Sequence, residues 1–243
     1  MRLFGLIGNP LTHSFSKKYF TAKFEREGLT DCRYDLFPIS SIEELPKLLQ
    51  ENPDLCGLNV TIPYKEQVLS YLKEENELVQ AIRACNCIDL QDGRLKGYNT
   101  DVLGFEQSLA QLWQPHHKKA LILGTGGVSK AVRYILQKLG LSYRYVSRKP
   151  GVHSFSYEQL TPQVMEEYTL IVNTTPLGTY PNVTEAPQIP YEALTSSHYL
   201  FDMVYNPEKT LFLRKGEERG ALIKNGYDML EIQADESWKI WNS

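Results

Sequence analysis

Lys65 ends the segment Asn59-Val60-Thr61-Ile62-Pro63-Tyr64-Lys65, which closes an apolar strand and opens a helix with proline at its favoured first position. In that first turn the helix dipole disfavours a cation. A structural lysine gains nothing there, whereas a proton-transferring lysine gains a lowered pKa. The plainer reading is a lysine on the surface. Further on, Gly97-Tyr98-Asn99-Thr100-Asp101 leads into another helix, so Asp101 is either its N-cap or a functional carboxylate. Upstream, Ser14 and Ser16 follow Gly8-Asn9-Pro10 and present two hydroxyls in alternate positions before a helix. They can bind a carboxylate, or one of them can simply cap the helix. Asn86 lies inside a hairpin. In the tail, Asn225 to Gln233 puts Met229 and Gln233 four residues apart on one helix face. Core packing accounts for Met229 by itself.

A second kind of chemistry is written in Gly124-Thr125-Gly126-Gly127-Val128-Ser129. It follows an apolar strand and runs straight into a helix, the context that a dinucleotide-binding turn requires. Glycines permit the tight turn and let the backbone approach a pyrophosphate, which the free N–H groups and the helix dipole then hold. Ser129 takes the third small position of that pattern. About 20 residues on, an NAD site carries an acid for the ribose hydroxyls. This chain has Ser147-Arg148-Lys149 there instead. A hydroxyl and two cations suit a 2′-phosphate, with Arg148 offering planar, charge-assisted hydrogen bonds, so NADP(H) is the expected cofactor.

The elements that must position these residues alternate β-rich runs with helical patterns, the mark of α/β folds with mainly parallel sheets. Strands are expected over 3–7, 33–39, 55–61, 85–90 and 95–98, the last two joined across Asp92-Gly93 as a hairpin. Helices are expected over 16–27, over 41–50 with a Ser41/Glu44 capping box, from Pro63 onward, and over 102–112. After the break at Gln114-Pro115-His116-His117 come strands over 120–123, 143–146, 170–172 and 199–202, with helices over 128–139, 210–219 and 227–241. Two α/β domains with a cleft between them are expected: residues 1–101 completed by the C-terminal helix 227–243, and residues 102–226.

Composition narrows the partners. The 243 residues are 42% hydrophobic and 23% charged, ordinary for a globular protein, and the net charge of -3 points to neither nucleic acid nor an anionic membrane. No apolar run reaches the length of a membrane span, and the N-terminus has no signal-peptide pattern. Cys32, Cys56, Cys85 and Cys87 form no C-x-x-C pair, so they read as reduced structural thiols of a cytoplasmic protein, Cys85 and Cys87 facing one side of a strand. No metal-ligand cluster is present.

In order along nearly the whole chain, these motifs resemble the shikimate dehydrogenase family. The set comprises Ser14 and Ser16, N-V-T-x-P-x-K at Asn59 to Lys65, Asn86, N-T-D at Asn99 to Asp101, and G-x-G-G at Gly124 to Gly127. It continues through Asn173-Thr174-Thr175-Pro176-Leu177-Gly178, Asp202-Met203-Val204-Tyr205-Asn206-Pro207, and Gly226 to Gln233. The resemblance implies an N-terminal α/β substrate domain, a Rossmann-like NADP-binding domain, and reduction of 3-dehydroshikimate to shikimate in aromatic amino-acid synthesis. It further implies that Lys65 and Asp101 form the catalytic pair and that Ser14 and Ser16 bind the substrate carboxylate. Asn59, Thr61, Asn86, Tyr205 and Gln233 would complete the substrate site. Cofactor contacts would come from Gly124, Thr125, Gly126, Gly127, Val128, Ser147, Arg148, Lys149, Asn173, Thr174, Met203 and Gly226. The assembly would be a monomer or homodimer. Neighbouring possibilities are a quinate or methylene-tetrahydrofolate dehydrogenase of the same shape, or a non-catalytic NADP-binding protein.

The chain departs from the family pattern in places. A proline usually follows the second serine, with His-Asn a few residues on, where this chain has Lys17 and Tyr19-Phe20. Cys85-Asn86-Cys87 replaces V-N-T, Ser147-Arg148-Lys149 replaces N-R-T, and the C-terminal helix is short.

Overall fold

The computed structural model describes residues 1–243 apart from Thr12, His13, Gln91, Asp92, Pro150 and His153, so the Asp92 half of the expected hairpin turn lies outside the described residues. The chain divides into two compact units, Met1–Leu103 with Leu230–Ser243, and Gly104–Met229.

In the first unit the chain runs β1 (Arg2–Gly8), α1 (Phe15–Glu27), β2 (Cys32–Pro38), α2 (Leu45–Glu51), β3 (Leu55–Val60), β4 (Glu74–Glu75), α3 (Glu77–Ile82), β5 (Cys87–Asp89) and β6 (Lys96–Tyr98). The helix α4 (Asp101–Ala110) begins here, and most of the C-terminal helix (Tyr227–Ile240) returns to it. The sheet order is β2-β1-β3-β5-β6-β4, with β1 parallel to β2 and β3, and β5 antiparallel to β3 and β6. Almost every residue of β1 is buried, as its unbroken apolar run requires for a central strand covered on both faces. One face packs on Leu58, Val60 and Ile88; the other carries an aromatic cluster of Phe4, Phe20, Phe24, Tyr34 and Trp241. Trp241 anchors the C-terminal helix: its Nε1 donates to the Ile88 carbonyl at 3.0 Å, and its indole occupies the space that a Cβ on Gly57 would need. Arg2 Nη2 donates to Asn242 Oδ1 at 2.8 Å, so the two ends of the described chain meet.

Two expectations for this unit are corrected and one open alternative is decided. No α-helix follows Pro63; turns lead to a 3₁₀ segment, Gln67–Tyr71. The Lys65 carbonyl accepts from Cys85 N–H at 2.8 Å, and that long-range bond takes it out of any helical ladder. The helix-dipole argument for Lys65 therefore does not apply. Cys85 and Cys87 lie in different apolar clusters, because the strand begins only at Cys87 and the alternation does not extend back to Cys85. Asp101 is the first residue of α4 rather than its cap. The Asn99 side chain accepts from Val102 N–H at 3.3 Å and leaves the aspartate for other work.

The second unit runs β7 (Lys119–Leu123), α5 (Gly127–Lys138), β8 (Ser142–Val146), β9 (Ser154–Phe155), α6 (Pro162–Glu167), β10 (Leu170–Asn173), β11 (Tyr199–Asp202), α7 (Leu211–Glu217) and β12 (Leu222–Lys224). All its strands are parallel, in the order β12-β11-β10-β7-β8-β9. Counted from β7 this is the doubly wound order in which the chain switches direction beside its first strand, with the crevice at the carboxyl ends of β7 and β10. β7, β10 and β11 are buried almost throughout.

Just before β7, His117 is fully buried. Its Nδ1 lies 3.2 Å from Thr169 Oγ1, the rings of His116 and Tyr199 flank it, and Nε2 has no partner among the described residues. Burial, with His116 and His198 nearby, pushes the imidazole down to about 4. An unfolded histidine protonates near pH 6.5, so the stabilisation from a neutral His117 is complete above that value and drains away as pH falls towards 4, about 3 kcal/mol in all. Asp202 acts in the opposite sense. Burial pushes its carboxyl up to about 6, so its contribution is full below about pH 4 and is lost as pH rises through 6. Thermal melts should separate the two: His117→Asn should gain stability relative to wild type as pH drops from 6.5 to about 4, by up to that amount. Parallel pH profiles for the two proteins would remove His117 as the acid-sensitive group.

Candidate active site

Lys65 and Asp101 meet in the first unit. Lys65 Nζ donates to Asp101 Oδ2 at 2.7 Å, with side chains 16% and 8% exposed. The lysine arrives on the turns after β3 and the aspartate on the first turn of α4. The other carboxylate oxygen accepts from Asn86 Nδ2 at 3.0 Å. Asn86 is itself clamped: its Oδ1 accepts from Thr100 N–H at 2.7 Å, and Nδ2 also reaches Thr100 Oγ1 at 2.9 Å. Both carboxylate oxygens are thus directed, while the ammonium keeps two further N–H groups beyond its bond to Asp101. Such a pair can pass a proton to or from a hydroxyl brought against it.

The other residues picked out in this unit fall into two groups. Ser14 Oγ is buried without a partner among the described residues, and although Ser14 is the N-cap of α1 its side chain caps nothing. Thr61 is half-buried beside Gly8, with its N–H donating to the Ile7 carbonyl at 2.9 Å. Ser16, in the first turn of α1, lies against the Tyr34 hydroxyl. Asn59 and Gln233, by contrast, are engaged within the protein. Asn59 bonds Tyr34, Asn86 and Ser237, while Gln233 Nε2 donates to the Leu230 carbonyl at 3.0 Å. Tyr205 lies half-buried in the second unit. Tyr34 and Ser237 were not among the residues singled out above. A lone tyrosine in a strand and a lone serine in a helix carry no motif, and only the fold reveals them.

In the second unit the glycine-rich turn closes β7 and opens α5. Gly124 has φ +102, in the region that favours glycine, and a Cβ there would come within 2.9 Å of Thr174 Oγ1. Thr174 Oγ1 donates to the Leu123 carbonyl at 2.7 Å, which fixes the Asn173-Thr174 end of β10 beside the turn. Gly126 is the N-cap of α5; a Cβ on it would meet nothing within 4 Å, so the helix N-terminus is open to a ligand. Ser129, in the third small position, folds its Oγ back onto the Gly126 carbonyl at 2.6 Å. Thr125 is exposed, and Gly127 and Val128 are half-buried. At the end of β8, Ser147 Oγ accepts from Lys149 N–H at 3.2 Å, and Arg148 and Lys149 are both exposed. Asn173 Nδ2 donates to Asp202 Oδ1 at 2.9 Å, and Thr210 Oγ1 to Asp202 Oδ2 at 2.6 Å. Asp202 also accepts from Val204 N–H at 3.0 Å and so shapes the turn that bears Met203 and Tyr205. A Cβ on Gly226 would strike the Met203 backbone, which explains glycine there. The donor-rich turn and the two cations fit an NADP molecule, whose pyrophosphate and 2′-phosphate they would hold. Among the described residues no group of side chains could hold a metal ion.

A doubly wound parallel sheet with this turn, in a chain whose other α/β unit holds a buried lysine–carboxylate pair, marks the class of dinucleotide-dependent oxidoreductases. Residues 6–88 match the family model for the shikimate dehydrogenase substrate binding domain. An NADP(+) shikimate dehydrogenase of Staphylococcus epidermidis is 34% identical over 252 residues, covering 99% of this chain and 92% of the relative. One from Caldicellulosiruptor bescii is 32% identical over 259 residues, covering 99% and 89%. The solved shikimate 5-dehydrogenase of Thermus thermophilus, in complex with NADP(H) and shikimate, superposes with a TM-score of 0.87 at 30% identity, covering 99% of this chain and 93% of that one. The chain belongs to the shikimate dehydrogenase family.

Proposed function

We propose that this protein catalyses the reversible, NADP(H)-dependent reduction of 3-dehydroshikimate to shikimate, a step of aromatic amino-acid synthesis. The observation that carries the reading is the Lys65–Asp101 pair, held at 2.7 Å in a buried hydrogen-bond frame. When bound, NADP+ supplies the hydride acceptor for the carbinol carbon. Lys65 and Asp101 take the hydroxyl proton as the carbonyl forms, and return it in the reductive direction. As a cation, Lys65 also stabilises negative charge developing on that oxygen. Ser14 and Ser16 hold the ring carboxylate; the buried, unpartnered Ser14 Oγ is the kind of group a ligand oxygen satisfies. Thr61 and Gln233 address the ring hydroxyls or the groups around them, and Asn86 acts through the Asp101 carboxylate that it holds. Arg148, Lys149 and Ser147 select the 2′-phosphate.

A reducing, cytoplasmic setting is part of the same reading, in keeping with four free thiols and with the lack, among the described residues, of any helix long and apolar enough to cross a membrane. The assembly is a monomer or homodimer, which sedimentation velocity distinguishes. The deciding experiment follows absorbance of the reduced nicotinamide with shikimate and NADP+, alongside quinate and NAD+. Turnover with shikimate and NADP+ is expected. Quinate oxidised at equal efficiency would widen the substrate class. Tight NADP+ binding with no turnover on either acid would make the protein a binding module.

A further inference from the structure

The Asn59 carboxamide has both its N–H groups and its oxygen in use. Oδ1 accepts from the Tyr34 hydroxyl at 2.8 Å, and Nδ2 donates to the Asn86 carbonyl at 3.2 Å and to Ser237 Oγ at 2.9 Å. Tyr34, Asn59, Asn86 and Ser237 are all buried, with Asn59 5% exposed and Ser237 not at all. An amide in this state can donate to a ligand only by giving up a bond it already makes. Asn59 therefore acts through its neighbours.

We infer that Tyr34 and Ser237 are positioning residues of the substrate site: they hold Asn59, Asn59 holds the Asn86 backbone, and the Asn86 side chain holds Asp101 against Lys65. The two supports come from elements far apart in sequence, β2 and the C-terminal helix. The Tyr34 ring is fixed by stacking on Phe20, centroids 4.5 Å apart and planes 12° off parallel. Ser237 spends its own hydrogen on the Gln233 carbonyl at 2.9 Å, leaving its oxygen to accept from Asn59. Ser237 also lies 3.4 Å from Thr100 Oγ1, which bonds Asn86, so the C-terminal helix touches this frame twice. Because Ser16 lies against the same Tyr34 hydroxyl, one phenol serves both the proposed carboxylate end and the Lys65 end of the site.

The inference rests on the shikimate reading given above. Tyr34→Phe keeps the stacked ring, and Ser237→Ala keeps the helix. Because the frame ends on the Lys65–Asp101 pair, each should lower kcat for shikimate, per folded molecule counted by stoichiometric NADP+ binding, by about 2- to 10-fold, the worth of one neutral hydrogen bond, while KM for NADP+ stays within about twofold. Since both act on one carboxamide, the double variant should lower kcat by clearly less than the product of the single effects. A purely structural role would lower the melting temperature and the amount of folded enzyme, and kcat per folded molecule would hold still. That pattern overturns the inference, as does a double variant whose effect equals the product. If the double variant fails to fold, the single ones decide. A wild type that does not oxidise shikimate overturns the proposed function and this inference together; an active wild type with unmoved kcat per folded molecule in the variants overturns the inference alone.

Discussion

Lys65→Ala is expected to lower kcat for shikimate oxidation by about 10²–10⁴-fold, the span that a general acid or base supplies, with a much smaller change in KM. Two effects are mixed in that number, and they can be separated. Lys65 and Asp101 are a nearly buried pair 2.7 Å apart, so removing the lysine strands a carboxylate. Breaking a buried pair from one side costs about 3–5 kcal/mol, and the melting temperature should fall with the rate. Lys65→Arg restores the positive charge, but a guanidinium with pKa above about 12 gives up no proton at neutral pH. The arginine variant should therefore recover stability and stay slow. Steady-state kinetics and melts on all three proteins are the measurement. Near-native turnover in Lys65→Ala would take the lysine out of the mechanism, and a fast Lys65→Arg would reduce its part to charge alone.

Replacing Arg148 and Lys149 together should turn cofactor preference away from NADP+. Both side chains are exposed at the end of β8, where the 2′ substituent of the adenosine ribose is expected. A charge-assisted pair contributes about 1.5–3 kcal/mol, so Arg148→Ala should weaken NADPH binding by roughly 10- to 150-fold. NADH lacks the phosphate and should bind almost as before. Lys149 is a neighbouring cation able to compensate, so the double variant should show the larger change. The quantity to measure is the ratio of kcat/KM for the two cofactors. An unchanged ratio in the double variant would leave this basic turn as mere solvated surface.

Much of the nucleotide unit can be read from residue pattern alone. Its central strands β7, β10 and β11 are buried on both faces and appear as apolar runs, and Gly124 announces a backbone that other residues rarely adopt. Around Lys65 the reading fails for a physical reason. Pro63 is a fair start signal for a helix, but the Lys65 carbonyl is claimed by Cys85, twenty residues away in the chain, and no local pattern records that bond. Cys85 and Cys87 mislead in the same way, since alternation predicts one face only while the strand lasts. Short elements escape too. The helix α6 has a legible start, Thr161 capping with Pro162 behind it, yet it lasts barely two turns. The motif residues of the substrate unit are visible in sequence, whereas the partners that orient Asn59 are single polar side chains, and only topology brings them to it.

The C-terminal helix also bears on the order of assembly. The second unit is one continuous stretch, Gly104–Met229, and gathers its contacts from within that stretch. The first unit is split around it: Trp241 must reach Ile88, and Asn242 must reach Arg2. On a growing chain, residues 1–103 emerge early but wait for the final helix, with the aromatic cluster missing its largest member and Gly57 uncovered. Once the second unit has folded, the long intervening segment becomes a compact insert instead of a loose loop, which lowers the entropy lost when the ends are joined. Synthesis therefore favours completion of the nucleotide unit first, with the lysine–carboxylate frame closed last.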